Sequence, residues 1–160
     1  MLTGPRHREY PPKTRHDLTR ELFAELHARG LTIQAIAEGV SYPGGTLKRW
    51  RNGRGRPRVI DLENVGAQYG LDLAIEVLPM AGVAPERSPY KWEPRTASPV
   101  TRELFQLMSD WGVWPASVAR AIGMTPYTFK AWARGHRSPY INEMEAAAHA
   151  IGCRLAWVKR

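Results

Sequence analysis

Apolar residues recur along this chain at two different spacings. Leu18, Leu22, Phe23 and Leu26 fall three and four positions apart, the stripe of an amphipathic helix running from Asp17, a cap or first-turn acid, to a stop at Gly30. Ile33, Ile36, Ala37 and Val40 give a second helix from about Thr32. Ser41 to Gly45 interrupt the pattern, and Leu47 and Trp50 resume it in a short third helix that starts near Pro43. Leu62, Val65 and Tyr69 mark a fourth, from about Asp61 to Gln68, ended by Gly70. The period then changes: Leu71, Leu73, Ile75 and Val77 alternate with Asp72, Ala74 and Glu76, as in a strand over 71–78 with one buried face.

The same order of elements occurs again. Leu18 to Leu78 aligns without a gap on Val100 to Arg160, with roughly a quarter of the residues identical, which marks an internal duplication. Thr19-Arg20-Glu21-Leu22-Phe23 matches Thr101-Arg102-Glu103-Leu104-Phe105, and Thr46, Lys48, Trp50, Gly53 and Pro57 match Thr128, Lys130, Trp132, Gly135 and Pro139. In the second copy Ser98 and Pro99 form a cap and first-turn pair, and Pro115 and Pro126 suit the first turns of helices two and three, with Thr125 as cap. Asn142 with Glu145 gives a capping-box-like start to helix four. Cys153, Leu155 and Trp157 alternate as a final strand over 153–159. A strand needs a partner. The two terminal strands can pair with each other, making a pseudo-dimer inside one chain, or with those of a second chain in a homodimer; the sequence allows both.

Between and before the copies the pattern lapses. Residues 79–99 are rich in proline and read as an extended interdomain linker, with Tyr90 and Trp92 either packed on a domain or partly exposed. Residues 1–16 carry Arg6, Arg8, Lys13 and Arg15 and read as a flexible basic arm, left solvated or lying along phosphates. The expected organisation is therefore an arm (1–16), a first domain (17–78), a linker (79–99) and a second domain (100–160).

Charge changes this picture from architecture toward function. The chain has 160 residues and a formal charge of +8, which favours a polyanionic partner. Its distribution says more. No acid lies between Gly39 and Ile60, the stretch that holds Lys48, Arg49, Arg51, Arg54, Arg56 and Arg58, and none lies from Trp111 to Asn142 around Arg120, Lys130, Arg134 and Arg137. If Leu47 and Trp50 face the core, Gly44, Gly45, Lys48 and Asn52 point outward. Trp50 and Trp132 share a face with Leu47 and Phe129 and read as core.

Each copy resembles the lambda-repressor-like, Cro/Xre-type helix-turn-helix domain. The likeness rests on Leu31-Thr32, Ile36-Ala37 and Thr46-Leu47-x-x-Trp50-x-x-Gly53 with Pro57 in the first copy. In the second it rests on Val118-Ala119, Gly123-Met124-Thr125 and Thr128-Phe129-x-x-Trp132-x-x-Gly135 with Pro139. It covers about three quarters of the chain, and is looser in the first copy, where Ser41 replaces the turn glycine. The resemblance implies a mainly α fold, two tandem domains of four helices each followed by a short strand. It also implies that helix three enters the major groove. Carried over, the base-reading positions are Gly44, Gly45, Lys48 and Asn52, then Pro126, Tyr127, Lys130 and Arg134. The phosphate contacts are Gln34, Thr46, Arg49, Arg51, Arg54, Arg56, Thr128, His136 and Arg137. Glycines donate no side-chain hydrogen bonds, so the first copy would bind mainly through charge with Lys48 as chief base reader, while Tyr127 and Lys130 give the second a side-chain readout.

The expected function is a sequence-specific transcriptional regulator of double-stranded DNA, of prophage, mobile-element or antitoxin kind. Its rivals are a protein-interaction adaptor with one degenerate head, invited by Gly44-Gly45, and an architectural or packaging factor. Catalysis is not expected: His7, His16, His27, His136 and His149 lack metal-ligand spacing, and no nucleophile has an evident base. No cofactor or metal is expected. A single cysteine, Cys153, excludes an internal disulfide. Without a long apolar run or signal-peptide core, the expected location is cytoplasmic and nucleoid-associated.

Overall fold

The structure, a computed structural model, describes residues 11–79 and 93–160. Most of the expected arm and linker, with Tyr90 and Trp92, lies outside the described residues. The protein is mainly helical, with eight helices and one two-stranded antiparallel sheet among the described residues. No helix among them is long and apolar enough to cross a membrane.

By compactness the chain divides into two units, Met1–Gly55 and Arg56–Arg160. The first holds α1 (Asp17–Ala28), α2 (Ile33–Val40) and α3 (Gly44–Arg51). The second holds α4 (Val59–Gln68), β1 (Leu71–Val77), α5 (Pro99–Trp111), α6 (Pro115–Ala121), α7 (Pro126–Arg134), α8 (Ile141–Ala150) and β2 (Cys153–Lys159). The repeat in the sequence groups α4 and β1 with the first three helices, whereas compactness groups them with the second copy.

In the first unit the expected stripe, Leu18, Leu22, Phe23 and Leu26, is buried with Ile36, Leu47 and Trp50. Tyr42 meets Trp50 edge-on at 5.8 Å. The cap of α1 is His16, whose Nδ1 accepts from the Thr19 N–H at 3.3 Å, and Asp17 is a first-turn acid. Thr32 caps α2 through its hydroxyl, which accepts from the Ala35 N–H at 3.1 Å. In the second unit Leu104, Phe105, Phe129 and Trp132 are fully buried, with Phe105–Phe129 ring centroids 5.1 Å apart and Phe129–Trp132 centroids 5.0 Å apart. Each such aromatic or leucine side chain contributes about 1.5–3 kcal/mol by leaving water.

The terminal strands pair within the chain, and the register has a symmetry. Ala74 stands opposite Ala156, Leu73 opposite Trp157 and Ile75 opposite Leu155. Ala74 and Ala156 are equivalent positions of the two copies, so the sheet has a pseudo-twofold centre there. A second centre lies at the bridge between Arg58 and Tyr140, again equivalent residues. Around it Val59 N–H donates to Pro139 C=O at 2.9 Å and Ile141 N–H donates to Pro57 C=O at 3.1 Å. The sheet ends repeat the relation: Leu78 N–H donates to Gly152 C=O and Arg160 N–H to Gly70 C=O, both at 2.9 Å.

This bridge accounts for two departures from expectation. Helix α4 begins at Val59 rather than Asp61, and α8 begins at Ile141 with Tyr140 as cap, not Asn142. The reciprocal bonds fix the chain at Pro57 and Pro139, so helix starts immediately after them. Glu143, rather than Glu145, folds back, accepting from the Tyr140 N–H at 2.9 Å.

Burial along the sheet also differs from a clean alternation. Leu71 and Leu73 are buried while Val77, on the same face, is 54% exposed. Only the half of each strand that follows its helix is covered, since Cys153 and Leu155 are buried and Lys159 is exposed.

Candidate nucleic-acid interface

The two copies build the same local device around α3 and α7. Leu47 and Trp50 in α3, and Phe129, Trp132 and Ala133 in α7, are buried, which turns the remaining faces outward. Thr125 caps α7, its hydroxyl accepting from the Thr128 N–H at 3.2 Å, and Pro126 occupies the first turn. Pro43 precedes α3 without a side-chain cap bond. The turn before each helix requires a left-handed residue: Gly123 at φ +74° before α7, and Ser41 at φ +60° before α3.

A strap that sequence reasoning missed fixes the far end of both helices. Lys13 and Thr14 N–H groups both donate to Arg51 C=O at 2.9 Å, and Arg95 and Thr96 N–H groups donate to Ala133 C=O at 2.7 and 3.0 Å. These are equivalent positions, so the duplication extends upstream of Leu18. The Thr14 hydroxyl accepts from His16 N–H at 3.2 Å and the Thr96 hydroxyl from Ser98 N–H at 3.1 Å, leading directly into the caps of α1 and α5. Gly53 and Gly135 admit the strap: a Cβ there would lie 3.3 Å from Thr14 Cα and 3.2 Å from Thr96 Cα, at φ values of +77° and +79°. Residues 13–16 and 95–98 are thus held against the helices and are neither free arm nor open linker. The Pro-x-Thr pattern shared by Pro12-Lys13-Thr14 and Pro94-Arg95-Thr96 was the available signal.

Most of the expected contact residues lie at the surface. Gly45, Lys48, Arg49 and Arg54 are exposed in the first unit, with Gly44, Thr46 and Asn52 half-buried. In the second, Pro126, Lys130, Arg134, His136 and Arg137 are exposed, Thr128 is half-buried and Tyr127 is 82% exposed. The ion pairs Arg20–Asp17, Arg29–Glu25, Arg154–Glu76 and Arg160–Asp72 lie on α1 and at the sheet. Lys48, Arg49, Arg54, Lys130, Arg134 and Arg137 enter none of these pairs.

Three of the expected phosphate contacts are otherwise engaged. Arg51 is only 7% exposed and its Nε donates to Asn52 Oδ1 at 3.4 Å, so it belongs to the packing, as the equivalent buried Ala133 would have indicated. Arg56 is exposed, but its guanidinium carbon lies 5.3 Å from the Tyr140 ring centroid, beside Arg58 at 4.4 Å. Gln34 donates to Glu38 Oε1 at 3.4 Å, next to a negative charge.

Trp114 is a further residue that the sequence reading passed over. It precedes α6 and is 51% exposed, at the place where Thr32 caps α2.

Chemically, each copy offers a short helix with an exposed lysine, flanking arginines without acid partners among the described residues, and a buried apolar backing. That arrangement suits a polyanion whose charges are regularly spaced and whose groove admits a helix. No protein-family model, curated protein or solved structure matches the chain.

Proposed function

We propose that the protein binds double-stranded DNA sequence-specifically through two helix-turn-helix heads of the lambda-repressor-like, Cro/Xre kind, α2–α3 and α6–α7, as a transcriptional regulator. One observation carries this above the rest. Lys48 and Lys130, at equivalent places on α3 and α7, are both exposed, each opposite a buried tryptophan, in stretches of chain without acid. A lysine kept on the outer face of two copies has a use that packing does not supply. In this reading Lys48, Lys130 and Arg134 address base edges. Arg49, Arg54, His136 and Arg137 hold phosphates, and the straps keep the helix ends from moving when they do.

The test is a titration of the full chain against duplex DNA at several salt concentrations. Binding through several phosphates gives a log–log slope of about −0.9 per contact. Replacing either lysine by alanine should weaken binding about tenfold, and replacing both should do so in near-additive fashion. A flat slope, with both variants binding as the parent does, would remove DNA as the partner and support a protein-binding role for the same faces.

A further inference from the structure

The glycines at described positions answer to different demands. Some are required by the fold. Gly53 and Gly135 sit at positive φ under the straps, and a Cβ on Gly66 would lie 2.5 Å from Trp157 Cζ3 and 2.7 Å from the Leu71 carbonyl oxygen. The two that open α3 are not. A Cβ on Gly45 would meet nothing within 4 Å, and one on Gly44 would make an ordinary 3.9 Å contact with Ala37 Cβ. Neither residue has positive φ. Glycine also weakens a helix relative to alanine, so stability does not explain their presence. At the position equivalent to Gly45, α7 carries Tyr127, which is 82% exposed.

The remaining outward residues widen the difference. Asn52 is half-buried and accepts from Arg51, whereas its counterpart Arg134 is exposed. Thr46 and Lys48 are repeated as Thr128 and Lys130. The structural device around the helices is nonetheless alike in the two copies, down to the strap bonds on Arg51 and Ala133. The copies share a frame and differ in the side chains they present.

We propose that the DNA site selected by this chain is lopsided. The half met by α7 carries base sequence set through Tyr127 and Arg134 beside Lys130, the half met by α3 is read through Lys48 alone, and the position shared by Gly45 and Tyr127 decides the difference. This rests on the DNA-binding function proposed above. A tyrosine ring in the major groove packs on a thymine methyl, and arginine pairs with guanine through two bonds. A glycine offers neither contact, and leaves the α3 backbone free to lie close to the DNA.

The experiment is selection of bound duplexes from a random library by the full chain and by Gly45→Tyr, Tyr127→Gly and Tyr127→Ala, each first shown to melt cooperatively. The parent should return one strongly conserved half-motif. Gly45→Tyr should add a second. Both Tyr127 variants should lose about tenfold in preference for the selected site over bulk DNA. Tyr127 is almost wholly in solvent, so its variants report even if Gly45→Tyr does not fold. A parent motif with two equally conserved halves, or an unchanged motif in the Tyr127 variants, would overturn the lopsided site while leaving DNA binding standing. Absence of any duplex binding would overturn DNA binding itself and the lopsided site with it.

Discussion

At the scale of single residues, the two copies are natural controls for one another. Ser41 and Gly123 occupy the same left-handed turn, at φ +60° and +74°. A side chain there crowds the following carbonyl at a cost of about 1–2 kcal/mol. Part of that is offset by the larger freedom that glycine loses on folding. We therefore expect Ser41→Gly to stabilise the protein by about 0.5–1 kcal/mol, measured by urea denaturation. A loss of stability would mean that Ser41 makes a contact worth more than its backbone strain. Arg51 teaches the converse. The resemblance makes it a phosphate contact, but its counterpart Ala133 is a buried position, and the copy without the charge is the better guide.

Among the elements, the junction of α4 with the start of α5 rests on one buried carboxyl. Glu63 accepts from the Ser98 hydroxyl and, at 2.9 Å, from the Val100 N–H, so a side chain of α4 satisfies donors at the first turn of α5. Burial raises its pKa above the usual carboxylate value. The bonds from Ser98 and Val100 oppose that rise, and the charge of Asp72 acts with it. Because the folded-state pKa is the higher one, the folded protein binds the proton more tightly than the unfolded chain does. The resulting stabilisation is full below the ordinary glutamate pKa and is lost as pH rises through the elevated one. Glu63→Gln keeps an acceptor for Val100 and cannot titrate. The stability of the parent relative to Glu63→Gln should therefore increase as pH falls across that window, read from melting temperatures of both proteins at each pH. A difference independent of pH would show that Glu63 does not change protonation on unfolding.

For the molecule as a whole, the paired strands decide what can be cut. An independent first domain ending at Leu78 would leave β1 without the partner that covers its polar backbone. The register is centred on equivalent residues, Ala74 and Ala156, so a second β1 can take the place of β2 with the same pairing. A fragment of residues 1–78 should accordingly associate as a dimer through β1, and sedimentation equilibrium would show it. A fragment that stays monomeric and folded would mean that the strand is satisfied in some other way. For the same reason, the DNA binding proposed for the two heads is better dissected by Lys48→Ala and Lys130→Ala in the full chain than by truncation.

Hydrophobic periodicity by itself determined the helical stripes, because burying Leu22, Leu26, Leu47 and Trp50 on one side of a helix requires their spacing. The change to alternation at Leu71 likewise marked the strands. The gapless repeat located equivalent positions before any contact was known. What periodicity could not register was backbone hydrogen bonding between segments distant in the chain. The straps at Thr14 and Thr96 and the Arg58–Tyr140 bridge depend mainly on main-chain groups, so hydrophobic periodicity carries no trace of them and only the repeated Pro-x-Thr marks the straps. The choice of strand partner was likewise open, since β1 and β2 carry complementary edges that could equally meet another chain. Only the tertiary structure, by bringing Ala74 opposite Ala156, decided that the chain closes its sheet on itself.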